Sequence, residues 1–134
     1  MRKHFEKDIR SLDAVFGFLR TFAEKEGLDG RASYVLDLAV EEFFTNIVKY
    51  GSGTGSDVHL EAERSGRTVT VRLEEQTPVP FDVTRPTETQ FDIPIAERRP
   101  GGLGIHIARE MLDGLTYEYV DGTSRITLTK HLET

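Results

Sequence analysis

The sequence predicts an α/β (α+β) two-layer sandwich, a mixed, largely antiparallel sheet with helices on one face, and three observations support this. Two early segments repeat apolar residues at three- and four-residue intervals. Later segments alternate apolar and polar residues in pairs joined by short glycine turns. Helical and hairpin segments are interleaved along the chain. A length of 134 residues with 37% hydrophobic content is enough for one buried core, so a single domain over 1–134 is expected.

After a short opening segment, Ser11 is placed to cap a helix whose buried face is Leu12, Val15, Phe16, Leu19 and Phe22, and Gly27 ends it. A second helix is expected from about Arg31 to Tyr50, with Gly51, Gly53 and Gly55 punctuating the turn that follows. Val58, Leu60 and Ala62 alternate with polar residues. Gly66 then turns the chain into Thr68 to Leu73, where Val69, Val71 and Leu73 share a face, so the two segments form an antiparallel hairpin. From Gln76 to Pro100 the chain is rich in Pro and Thr without a sustained period, which is long for a connection inside a compact domain and is expected to hold a mobile lid. The cluster GGLGI opens a further helix through about Leu112. Strands around Leu115 to Val120 and Arg125 to His131 follow, turning at Asp121 and Gly122.

Composition excludes several classes of function. With 17 Lys and Arg against 23 Asp and Glu the formal net charge is −6, and the chain has no basic stripe for neutralising nucleic-acid phosphates. The absence of Cys removes disulfides, thiolate catalysis and cysteine-ligated zinc together. His4, His59, His106 and His131 show no ligand spacing and read as surface or half-buried imidazoles. The N-terminus lacks the apolar stretch of a signal peptide, and no apolar run approaches the roughly 18 residues of a membrane span, so a cytoplasmic protein without membrane contact is expected.

Chemistry is concentrated in two places. On the second helix Leu36, Val40, Phe43 and Ile47 centre the apolar arc, while Glu42 and Asn46 stack one turn apart along its edge and Lys49 falls on the same flank. A carboxamide oxygen is a hard ligand suited to Mg²⁺, and a carboxylate can take a proton from a nucleophile attacking phosphate. Taken alone, this spacing equally describes the margin of an ordinary amphipathic helix. Gly101, Gly102 and Gly104 would set backbone N–H groups and a helix N-terminus where an anion could sit, or simply form a loop before a helix. Neither the P-loop pattern nor the Rossmann fingerprint is present.

In order and spacing these segments resemble the GHKL (Bergerat-fold) ATPases and, within them, the bacterial anti-sigma-factor serine/threonine kinases. LDLAVEEFFTNIVKYG is similar to the family's asparagine box, with Glu42 at the catalytic glutamate, Asn46 at the magnesium-binding asparagine and Lys49 at a commonly basic position. PFD at Pro80 to Asp82 and the later RRPGGLGIHIAREMLDGLTYEY resemble the segment bearing the second glycine box, and DGTSRITLTKHL the terminal hairpin. The resemblance implies ATP and Mg²⁺ as cofactors. It places Glu42 as general base, Asn46 as Mg²⁺ ligand, Gly101, Gly102, Leu103, Gly104 and Ile105 around the phosphates, and Arg98 and Arg99 near the γ-phosphate. It further implies a homodimer that phosphorylates a STAS-type anti-anti-sigma protein and holds a sigma factor inactive.

The first glycine box departs from the family. Its Asp-x-Gly aligns with Gln76-Thr77-Pro78, so Gln76 or Thr77 would have to accept from the adenine amine, or Glu74 or Glu75 if the alignment slips by one or two residues. Tyr50 and Ser124 stand where His and Asn are frequent. The alternative to a kinase is therefore a partner-binding module with a degenerate adenine site. The catalytic domain of a histidine kinase would need a phosphoacceptor helix that this length does not accommodate.

Overall fold

The computed structural model describes residues 1–50, 57–78 and 109–133. The helix α1 spans Leu12–Glu26 and α2 spans Gly30–Tyr50. Gly27, with φ of 67°, ends α1 in the left-handed conformation that glycine adopts without penalty, as the sequence predicts. Two details differ. Ser11 stands at the N-cap of α1 but makes no cap bond, because its hydroxyl donates instead to the Glu6 carbonyl at 2.9 Å. Along α1 the buried set is Val15, Phe18, Leu19 and Phe22, with Phe16 only half-buried, since the helix meets both α2 and the sheet and its buried arc turns toward Phe18. The cap of α2 is Asp29, whose Oδ1 accepts from Ala32 N–H at 2.8 Å.

The strands are β1 (Arg2–Phe5), β2 (Val58–Ser65), β3 (Thr68–Gln76), β4 (Gly114–Val120) and β5 (Thr123–His131). They lie in the order β1-β2-β3-β5-β4, and every described pairing is antiparallel, so the expected mixed sheet is antiparallel throughout its described part. Both expected hairpins form. The second turns through Asp121 and Gly122, each with positive φ (51° and 78°), the two-residue turn whose twist matches its strands. The opening segment, which has no sequence signal as a strand, adds β1 to the edge of β2. Residues 109–111, from the helix expected after the glycine cluster, are helical.

Alternation gives the sheet two unlike faces. Val58, Leu60, Ala62, Val69, Val71, Leu73, Ile126 and Leu128 point inward and are buried with Ala32, Val35, Leu36, Ala39, Val40, Phe43, Phe44 and Ile47 of α2 and with the buried face of α1. The other face is polar and laced with ion pairs, Arg2 and Arg72 to Glu61 and Arg125 to Glu74 and Glu118. At the end of β3 the inner face itself becomes polar. Glu75 is 6% exposed and forms an ion pair, without hydrogen-bond alignment, with Lys7, which is 8% exposed in the connection between β1 and α1.

Removing one member of such a pair strands a buried charge, whereas replacing both does not. Lys7→Met is expected to destabilise the chain by about 3–5 kcal/mol, and the double change Lys7→Met with Glu75→Leu to recover most of that loss. Urea denaturation of the three proteins checks this, and an unrecovered double variant would contradict it.

Candidate functional site

The rotation of α2 is set by its apolar stripe, and this determines where its polar residues lie. Asn46 is 5% exposed, one turn from Glu42 and between the buried Phe43 and Ile47. Glu42 is half-buried at the margin, and its Oε2 is shielded from solvent with no hydrogen-bond partner among the described residues. Lys49 is exposed on the helix's last turn.

Burial raises the Glu42 carboxyl above its ordinary 4.5. Repulsion from Glu41 adds to this and attraction to Lys49 opposes it. Asp37, on the same helix, is also raised, chiefly by burial. A desolvated carboxylate with a free lone pair has a raised affinity for a proton, which suits a group that takes one from a bound hydroxyl. The Asn46 carboxamide offers a hard oxygen one turn away, of the kind Mg²⁺ accepts.

The end of β3 supplies a second wall. The alternation of Val69, Val71 and Leu73 continues inward to Glu75, whose register partners are Val58 on β2 and the buried Ser124 on β5. Gln76 pairs with Thr123, lies on the opposite face and is exposed, so the structure does not bring it to the inner side. Thr77 is buried: its N–H donates to the Gly122 carbonyl at 2.9 Å, and its carbonyl accepts from the Tyr119 hydroxyl at 2.7 Å. The hydroxyls of Tyr117 and Ser124 lie 3.2 Å apart beside them. Of the residues that the first glycine box would use, Thr77 is therefore inside and Gln76 outside. Glu75 is the acidic group on the inner face, and two-residue alternation is the signal that finds it. Pro80 to Asp82, Arg98, Arg99, Gly101, Gly102, Leu103, Gly104, Ile105 and nearly all of the expected lid lie outside the described residues. No described helix is long and apolar enough to cross a membrane.

The folded chain holds the Glu42 proton to higher pH than the unfolded chain does. The stability this group contributes is thus complete below 4.5 and is lost as pH rises through its folded value. Glu42→Gln, which cannot ionise, is expected to gain stability over the parent as pH climbs through that window and to hold a constant margin above it. Denaturant unfolding over a pH series measures this, and a pH-independent difference would mean that the carboxyl is not desolvated.

Comparison with known proteins gives three findings. A profile of the histidine kinase-like ATPase domain matches residues 5–130. The serine/threonine-protein kinase BtrW of Bordetella bronchiseptica is 26% identical over 121 residues, which are 89% of this chain and 84% of that protein. The crystal structure of the RsbU and RsbW domains of Rv1364c from Mycobacterium tuberculosis superposes with a TM-score of 0.69 at 18% identity. That match covers 98% of this chain but only 31% of the larger one, so it bears on the fold alone.

Proposed function

Because the chain belongs to the histidine kinase-like ATPase domain family, whose members bind ATP, we propose that it is an ATP-dependent serine/threonine protein kinase of the anti-sigma-factor type. Its substrate in this reading is a STAS-type anti-anti-sigma protein, and in its other state it holds a sigma factor inactive as a homodimer. Similarity to a protein named as a serine/threonine kinase supports the activity. The observation that carries the reading is the buried, unpartnered Oε2 of Glu42 one turn from the buried Asn46. No described residue pairs with that oxygen, and a free carboxylate oxygen suits a site that accepts a proton.

Among the described residues, Glu42 and Asn46 are of the chemistry that Mg-ATP would call for. Bound Mg-ATP supplies the γ-phosphoryl group and the positive charge that steadies it. Glu42 Oε2 would take the proton of the acceptor hydroxyl during transfer of the γ-phosphoryl group. Asn46 would hold Mg²⁺ through its carboxamide oxygen. By the family resemblance, Gly101, Gly102, Leu103, Gly104, Ile105 and Arg99, all outside the described residues, would be the ones to hold the phosphates. Thr77 and Glu75 replace the missing aspartate as the polar groups facing the base, with Gln76 turned away. Lys49, exposed at the helix end, adds positive charge at the mouth.

The rival reading, a partner-binding module without efficient chemistry, draws on the outward Gln76. Calorimetric titration with Mg-ATP and Mg-ADP separates the two: the kinase binds both, and no binding at millimolar nucleotide would leave only the module.

The two helix residues should fail differently. Glu42→Gln keeps size and packing, so transfer to a cognate STAS partner is expected to fall by roughly two or more orders of magnitude with nucleotide affinity little changed. Asn46→Ala is expected to weaken the dependence of nucleotide binding on Mg²⁺, since it removes a metal ligand and not a base. Near-normal transfer by Glu42→Gln would place the base elsewhere.

A further inference from the structure

The outer face of the sheet is ordered by charge. Across it, in register, run His4 on β1, His59 on β2, Glu74 on β3 and Arg125 on β5. Glu74 is held by Arg125 at 3.0 Å, Arg125 also by Glu118 at 2.9 Å, and Arg72 and Arg2 by Glu61 at 2.9 and 3.0 Å. The acidic and guanidinium groups of this row therefore satisfy one another. The two imidazoles at its open edge stand directly opposite each other, a like pair beside the complementary pair of Arg2 and Glu61. Their ring centroids are 5.6 Å apart with planes at 49°. Protonated together they would repel across the strands, so no electrostatic gain accounts for their pairing.

We propose that His4 and His59 form a cross-strand chelate for a late first-row divalent cation, with Zn²⁺ as the ion to test. Zinc binds imidazole nitrogen at about 2.0–2.1 Å, which puts the centroids of two rings on one tetrahedral ion roughly 5 Å apart, close to the spacing observed. Both residues are exposed, so the ion can enter without moving the core. Asp57, two residues before His59 on the same side of β2, sets its Oδ2 4.0 Å from His4 Nε2. That is beyond a hydrogen bond, but it brings a negative charge beside the incoming cation. Among the described residues no three His, Asp or Glu side chains gather as a metal centre, so water completes the coordination. The four-residue strand β1 would thereby be tied to β2 by a second link beyond its ladder, next to the segment that carries Lys7. This site lies on the face of the sheet opposite the helices and does not depend on the nucleotide reading.

The test uses the full chain free of nucleotide in chelator-free buffer, titrated with ZnCl₂ by calorimetry, with MgCl₂ as the control. Saturable uptake of Zn²⁺ and a rise in Tm are expected, with no response to Mg²⁺. The exposed substitutions His4→Gln and His59→Gln leave the core untouched, and each should weaken that uptake at least about tenfold, since losing a ligand exceeds the roughly 10- to 100-fold effect of losing a ligand's own support. Zn²⁺-induced shifts of histidine ring resonances in the parent should be confined to His4 and His59. Absence of uptake by the parent, a smaller loss in either variant, or shifts centred on other histidines would overturn the proposal.

Discussion

Burying the apolar stripe of α2 against the inner face of the sheet fixes that helix's rotation about its own axis, and the placement of its chemistry follows from this. A turn of 100° would carry the stripe of Leu36, Val40, Phe43 and Ile47 toward water. At about 1.5–3 kcal/mol for each side chain exposed, losing three of them costs roughly 5–9 kcal/mol, comparable with the whole stability of a small domain. The helix therefore has one available orientation. In that orientation Asn46, between Phe43 and Ile47, is carried inside, and Glu42 is left at the margin with one oxygen shielded. The same packing that makes the core thus sets a carboxylate and a carboxamide one turn apart.

The sheet meets this helix with a surface that changes character along its length. Over most of β3 the inward residues are Val69, Val71 and Leu73, and then within one alternation they become Glu75 and Thr77. The Glu75 carboxylate is neutralised by Lys7, a residue far away in sequence that the addition of β1 to the sheet edge brings near. A buried ion pair adds little net stability compared with apolar side chains of the same volume. Core stability thus offers no reason for charge at the inner end of β3.

Much of this was legible in the residues. The three- and four-residue spacing of Val35, Leu36, Ala39, Val40 and Phe43 admits only a helix, and two-residue alternation with Gly66 and Gly122 at the turns admits only hairpins, so α2 and the pairs β2–β3 and β4–β5 could be read directly. Glu42 and Asn46 could be placed on one flank from their spacing. What could not be read was whatever depends on distant partners. RKHF has no alternation strong enough to announce a strand, and β1 exists because β2 offers it an edge. Ser11 resembles a helix cap in sequence, but the Glu6 carbonyl takes its hydroxyl. The juxtaposition of His4 and His59 is a property of register across 55 positions, which no local spacing encodes. The choice among Glu75, Gln76 and Thr77, by contrast, was decidable from parity: counting by twos from Val69 reaches Glu75 and Thr77 and passes over Gln76.

That parity bears on whether the altered first glycine box leaves a ligand site behind. Had Gln76 been the inward residue, a neutral carboxamide would have stood where the family keeps a carboxylate, and the loss would have been one of charge as well as shape. With Glu75 inward, a carboxylate remains on the inner face, paired there with Lys7. Glu42 adds a separate reason. Its burial raises the carboxyl and so favours the neutral over the ionised form. A module that only had to present a surface would gain by losing that charge. The proposed chemistry would give that carboxylate, one turn from a buried asparagine, a use that presenting a surface does not.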